Sequence, residues 1–340
     1  LFRSPLDREA RERGTSVYLV DRVIPMLPKE LSNGICSLNA GVDRLSMACE
    51  MQVSPEGEIT SYEIVPAVIH VYRRLTYNIV NKVLVDKAEP FVSDNQDIRE
   101  MLETLEALRH VLKAKRHRRG SIDFDVPEVK VKLDDKGHPV ALIKREGSLA
   151  ESIIEECMLA ANVATARFML DHQMPSLYRV HDGPPAERVE KLKAFLGELG
   201  LSLHKGKDGP SPKDYQALLA SIKDRPDFHL IQTVMLRSLQ QAVYSPDNVG
   251  HFGLAYDSYT HFTSPIRRYP DLQIHRIIKE NLRYGHSPKR IAHYESILPG
   301  VAKRCSDRER LADEAEREVD KMKKVEYMQA HIGEMYEGII

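Results

Sequence analysis

The run Tyr259-Thr-His-Phe-Thr-Ser-Pro-Ile-Arg-Arg-Tyr-Pro-Asp-Leu272 concentrates more chemistry than any other stretch of the sequence. Ser264-Pro265 suits an N-cap and a first helical position. Pro270 forbids an uninterrupted helix through Arg267 and Arg268. The spacing therefore predicts a short turn that presents two adjacent guanidiniums at the mouth of a helix starting near Asp271. Backbone N–H groups at a helix start and rigid forked cations both suit a phosphate. The same spacing also fits a pair of surface arginines on a solvated loop.

Three aromatics sit close to basic residues in sequence: Tyr18 near Arg22, Tyr77 near Arg73 and Arg74, and Phe124 near Arg118 and Arg119. Stacking a nucleic-acid base on such a ring is worth about 1–3 kcal/mol and tolerates any base. The alternative for each is an ordinary core aromatic. Glu155 and Glu156 are adjacent on an expected helix, so one of them must face away from its apolar stripe. An outward carboxylate is either plain solvated surface or an acceptor for ribose hydroxyls, the groups that distinguish RNA from DNA. Cys36, Cys49, Cys157 and Cys305 form no CxxC pair and have no histidine at ligand spacing; they read as buried free thiols of a reducing cytoplasm.

These residues need elements to hold them. Up to about residue 71 the sequence is strand-and-turn in character, with β-type content at 45–53 and 58–69 and a hairpin turn at Pro55-Glu56-Gly57-Glu58. Helices are expected at 75–85 and at 94–115, the second with Leu102, Leu105, Leu108 and Leu112 on one face and Gly120 as its stop. Strands at 129–133 and 139–144 flank the turn Asp134-Asp135-Lys136-Gly137. Ser148-Leu-Ala-Glu151 has the form of a capping box. The helix it opens should reach about residue 170, burying Ile154, Met158, Ala161, Thr165 and Phe168. Further helices are expected at 186–199, 212–223, 228–243, 271–283 and 302–330. The fold class is α+β, with N-terminal strands followed mostly by helices.

The 340 residues carry 49 Lys+Arg against 50 Asp+Glu, a formal charge of −1. That balance argues against a broad basic surface coating nucleic acid and leaves room for a local positive channel. No apolar run approaches the roughly 20 residues of a membrane helix, and no secretory signal is visible. The sequence begins at Leu1 and ends on Gly338-Ile-Ile340, which reads as the start of a strand, so both ends look like cuts through a longer protein.

Consecutive blocks then spell a resemblance. Arg13-Gly-Thr-Ser-Val-Tyr18, Leu31-Ser-Asn-Gly-Ile-Cys-Ser-Leu38, Leu75-Thr-Tyr77, Ile154-Glu-Glu-Cys-Met158, Leu177-Tyr-Arg-Val-His-Asp182, His251-Phe-Gly-Leu-Ala255, His261-Phe-Thr-Ser-Pro-Ile-Arg-Arg-Tyr-Pro-Asp-Leu272 and Ala312-Asp-Glu-Ala-Glu-Arg317 resemble, in order, the catalytic domain of the RNase II/RNase R (RNB) exoribonuclease family. The Asn-Gly-Ile-Cys-Ser-Leu and Arg-Arg-Tyr-Pro-Asp forms resemble its RNase R branch.

The resemblance implies an RNB catalytic domain over 1–333 and the first strand of a C-terminal OB-fold barrel at 334–340. It implies processive 3′→5′ hydrolysis of single-stranded RNA to nucleoside 5′-monophosphates by a cytoplasmic monomer, with DNA disfavoured. By matching motif, Tyr18 and Phe124 would sandwich the terminal base. Tyr77 and Glu155 would contact the ribose. Arg267 would hold the scissile phosphate, with Arg268 a weaker candidate beside it. The family binds Mg²⁺ through an aspartate block upstream of the Arg-Gly-Thr-Ser motif. That block is not in this sequence, so the chain alone is expected to bind no catalytic metal and to be inactive. The alternative is a non-catalytic RNA-binding module or pseudo-nuclease.

Overall fold

Ser4 opens the first helix by accepting a hydrogen bond from the Asp7 amide, and Pro5 takes the first helical position, where its missing N–H is not needed. The computed structural model describes residues 4–124, 128–145, 147–204, 206, 209–285 and 287–336. Helix α1 (Pro5–Arg13) corrects the purely strand-and-turn expectation for the N-terminal stretch. A two-residue ribbon, β1 (Val17–Tyr18) with β2 (Val23–Ile24), follows, and then an irregular helical turn, Glu30–Ile35. The expected hairpin pairs β3 (Asp43–Val53) with β4 (Ile59–His70), antiparallel, around a turn in which Gly57 has φ +85°.

Helices α2 (Tyr77–Leu84), α3 (Phe91–Asp94) and α4 (Arg99–Arg119) come next. Gly120 stops α4 with φ +103°, as its sequence position suggested. Leu102 and Leu112 of α4 are buried, whereas Leu105 and Leu108 are only half-buried. Strands β5 (Glu128–Leu133) and β6 (Pro139–Arg145) form a second antiparallel hairpin. Helix α5 (Leu149–Asp171) carries the expected capping box: Ser148 accepts from the Glu151 amide at 3.2 Å, and the Glu151 carboxylate accepts from the Ser148 amide at 3.1 Å.

The buried stripe of α5 is only partly the expected one: Thr165 and Phe168 are buried, Met158 and Ala161 are half-buried, and Ile154 is not buried. Ile154 is 43% exposed, and the core face starts instead at Ile153, Glu156 and Leu159. Beyond Leu159 almost every side chain is covered, because α5 runs through the middle of the domain; there periodicity loses its meaning.

Strand β7 (Tyr178–Val180) pairs with β8 (Val243–Ser245) across three intervening helices: α6 (Ala186–Glu198), α7 (Pro212–Ile222) and α8 (Phe228–Ser238). Helix α8 thus ends five residues before the expected 243; the pairing that claims Val243 comes from more than sixty residues upstream. Helices α6 to α8 enclose their own apolar cluster around Tyr215, Ile222, Ile231 and Met235.

Helix α9 (Tyr269–Tyr284) leads to α10 (Pro288–Gln329), a 42-residue helix that begins well before the expected 302. Pro299 lies inside it and costs about 3 kcal/mol in lost bonding and crowding. Burial of Leu298, Val301, Ala302 and Cys305 in the main core offsets that cost. Helix α10 packs against α1, α9, β1, β5, β6 and β8, and so acts as the spine of the domain.

Antiparallel ribbons set apart from packed helices make the class α+β, as expected. The four cysteines are free, but Cys36 is exposed rather than buried. Of the proposed barrel strand at 334–340, residues 337–340 lie outside the described residues, and 334–336 have no regular structure.

Candidate nucleic-acid interface

The turn bearing the two arginines is built from its neighbours outward. The Ser264 carbonyl accepts from the amides of both Arg267 and Arg268, which closes a turn over 264–268. Ser264 therefore does not cap a helix. Helix α9 starts at Tyr269 with Arg268 as its N-cap and Pro270 in its first turn. Asp271 replaces Ser264 as the organising side chain. It is fully buried; Oδ1 accepts from the Ser264 amide at 2.8 Å and from Arg268 Nη2 at 2.7 Å, and Oδ2 accepts from Arg268 Nε at 2.8 Å.

The two adjacent guanidiniums thus have opposite fates. Arg268 is locked in a two-pronged pair; burial opposes its charge, but the Asp271 carboxylate outweighs that and raises its pKa. Arg267 is exposed, and its side chain has no hydrogen-bond or ion-pair partner among the described residues. Its backbone is nevertheless fixed, since its carbonyl accepts from the Ser16 amide at 2.9 Å and from the Thr15 hydroxyl at 3.2 Å.

The segment leading into this turn is clamped from α5 and α9. Asn162, almost wholly buried, donates to the Tyr259 hydroxyl and accepts from the Phe262 amide, both at 2.9 Å. The Phe262 carbonyl accepts from His275 Nε2 at 2.8 Å. His181, His251, His261 and His275 crowd this region; burial lowers the pKa of each, that of His251 to about 3.

Tyr18 lies on β1, two residues past Ser16, whose amide bonds the Arg267 carbonyl. Its ring is 46% exposed, and its amide donates to Glu316 of α10 at 2.6 Å. Tyr77, 48% exposed, occupies the first position of α2, which Thr76 caps. Neither tyrosine is a core residue. Phe124, by contrast, packs in part against the α6–α8 cluster.

A second group forms around Arg116, in the last turn of α4. It is 6% exposed and lies within ion-pair distance of three carboxylates: Nη1 donates to Glu155 Oε1 at 2.8 Å, Nε lies 3.1 Å from Glu156 Oε1 without a hydrogen bond, and Nη2 lies 3.5 Å from Asp123 Oδ2. Glu155 is half exposed, whereas Glu156 is buried, and that burial raises its pKa. One cation therefore joins Glu155 to the segment that carries Phe124.

Two links connect the segments that carry expected site residues: Ser16, two residues before Tyr18, bonds Arg267, and Arg116 pairs with Glu155 and with Asp123, which precedes Phe124. Tyr77 is tied to the second link through its helix, because Asn81 of α2 accepts from the Ala150 amide at the start of α5. Sequence reasoning missed Arg116, Asn162 and Asp271. For Arg116 a signal existed: positions 102, 105, 109, 112 and 116 follow helical spacing, which continues the leucine stripe of α4 into the basic run.

The RNB domain family model matches residues 2–284. The chain is 46% identical to ribonuclease R 1 of Lactococcus lactis over 338 residues, covering 99% of this chain and 41% of that protein. It is 45% identical to ribonuclease R of Escherichia coli over 352 residues, covering 99% of this chain and 42% of that protein. Its fold superposes on Mycoplasma genitalium RNase R in complex with ribose-methylated single-stranded RNA with a TM-score of 0.90, at 30% identity, over 98% of this chain and 52% of that one. The chain thus spans well under half the length of the two curated relatives named.

Proposed function

This chain belongs to the RNB-domain family, and on that premise we propose that it forms the substrate-handling body of a 3′→5′ hydrolytic exoribonuclease, which degrades single-stranded RNA processively to nucleoside 5′-monophosphates. The observation that carries the proposal is the contrast at the α9 turn. Arg268 is spent on Asp271, while Arg267 projects unpaired from a backbone held on both sides. A fork without a partner among the described residues, carried on a fixed backbone, suits the non-bridging oxygens of a scissile phosphate, where negative charge develops during attack.

In this reading Tyr18 and Phe124 stack on the terminal base. Tyr77 and Glu155 meet the ribose, and the Glu155 carboxylate accepts a hydrogen bond from the 2′-hydroxyl. A DNA end lacks that donor and is the poorer substrate. The proposal extends to a catalytic domain over 1–333, a barrel beginning at 334, and action as a monomer in the cytoplasm. In support of an aqueous setting, no helix among the described residues is long and apolar enough to cross a membrane.

The resemblance also implies Mg²⁺, which supplies hydroxide and stabilises a leaving oxygen. The side chains described do not fit such an ion. Among the described residues no three His, Cys, Asp or Glu side chains gather as a metal requires. The carboxylates near the α9 turn are already engaged, Asp271 by Arg268 and Asp7 by Arg276.

The test is Arg267→Ala in the intact protein. Loss of one donor at a charge-developing centre should cut kcat by about 100-fold or more. RNA affinity, spread over many phosphate contacts, should change little. Equal losses in kcat and affinity would show that Arg267 only grips, and would favour a non-catalytic RNA-binding module.

A further inference from the structure

We propose that Arg116 is a positioning residue that sets ribose selectivity by holding Glu155, and that it couples this to the base-stacking segment through Asp123. The inference rests on the reading of Glu155 and Phe124 given above.

Geometry makes Arg116 more than a generic buried cation. Its guanidinium hydrogen-bonds Glu155 of α5 and lies within ion-pair distance of Glu156 of α5 and of Asp123 after α4. Only Oε1 of Glu155 is engaged, which leaves the other oxygen of a half-exposed carboxylate to accept from an incoming 2′-hydroxyl. The Arg116 carbonyl also accepts from the amides of Gly120 and Ser121, both at 3.3 Å. The same residue therefore fixes the path of 121–124 through its backbone and its side chain at once.

Charge makes the arrangement dependent on Arg116. Three carboxylates surround one guanidinium, so that cation is the main counterweight to their mutual repulsion. Without it, repulsion from buried Glu156 would swing exposed Glu155 outward and release Asp123. Lysine cannot substitute, because a single ammonium does not present a planar fork to three acceptors.

The experiment compares kcat/KM of the intact protein on an RNA oligonucleotide and on the same oligonucleotide with deoxyribose at its 3′-terminal positions. Arg116→Lys, Glu155→Gln and the double variant are measured. Arg116→Lys should lower the ribose-to-deoxyribose ratio about tenfold, within the range of coupled neighbours, and the double variant should lose no more than Glu155→Gln alone. Losses that multiply in the double variant, or an unchanged ratio in Arg116→Lys beside a reduced one in Glu155→Gln, would overturn the role of Arg116 alone. An unchanged ratio in Glu155→Gln would remove the ribose reading itself.

Since altering a buried cation can unfold the chain, Asp123→Asn is made in parallel. It leaves the Arg116–Glu155 bond in place and loosens only the Phe124 segment. KM should rise while the ratio holds. A collapsed ratio with unchanged KM would contradict the division of labour.

Discussion

Arg267 and Arg268 are chemically identical neighbours, and only their partners separate them. Asp271 makes Arg268 part of the scaffold. Asp271→Ala should therefore destabilise the protein by about 3–5 kcal/mol, because it strands a buried guanidinium. A urea midpoint unchanged by the substitution would show that the pair carries no structure. The buried histidines make a second prediction. His181, His251, His261 and His275 have pKa values lowered by burial, so they stay neutral in the fold while the unfolded chain protonates near 6.5. Their contribution is full above pH 6.5 and is lost as pH falls toward the His251 value of about 3. Glu156, with a raised pKa, works in the opposite sense: its contribution is full below its ordinary value and is lost as pH rises. Four histidines against one carboxylate should lower the urea midpoint between pH 7.5 and pH 5; a flat profile would contradict the assignment. At this scale residue type alone singled out Arg267, Tyr18 and Tyr77, and the fold leaves all three exposed. The sequence was silent on partners. Nothing local distinguishes Arg267 from Arg268, since what matters is which guanidinium the Asp271 carboxylate captures.

Elements set where those side chains stand. Helix α4 must stop abruptly for Asp123 to reach Arg116, and Gly120 provides the stop. Its φ is +103°, and an added Cβ would lie 2.5 Å from Lys213 Cγ of α7. Gly120→Ala should cost at least about 1–2 kcal/mol from the left-handed backbone alone. Thermal unfolding measures it, and an unshifted midpoint would show that the turn relaxes freely. The capping box at Ser148, the hairpins and the Gly120 stop were readable because each is written within a few residues. Helix α1 carried an equally local signal in Ser4-Pro5 with Asp7, but it is only nine residues long and too charged to show an apolar stripe. The early end of α8 and the early start of α10 were not readable. Both depend on distant partners: β7 claims Val243–Ser245, and the main core makes Pro299 tolerable within a helix.

At the scale of the whole molecule, a formal charge of −1 has to be reconciled with the proposed binding of a polyanion. The resolution lies in distribution: Arg116 and Arg268 are neutralised by specific carboxylates, whereas the Arg267 side chain has no partner among the described residues. Selectivity then comes from a few placed groups rather than from a basic surface. Family membership was visible in the order of the sequence blocks, whereas the linkage of the two halves of the site through α5, Arg116 and Asn162 required the fold. The most direct test of the central claim uses the intact protein, with Mg²⁺ supplied, and single-stranded RNA labelled on its 3′-terminal nucleotide. The account predicts that the label leaves first, as a nucleoside 5′-monophosphate, and that Arg267→Ala slows this release without preventing RNA binding. Label that stays on the RNA, or that leaves in an internal fragment or as a 3′-phosphate, would contradict it.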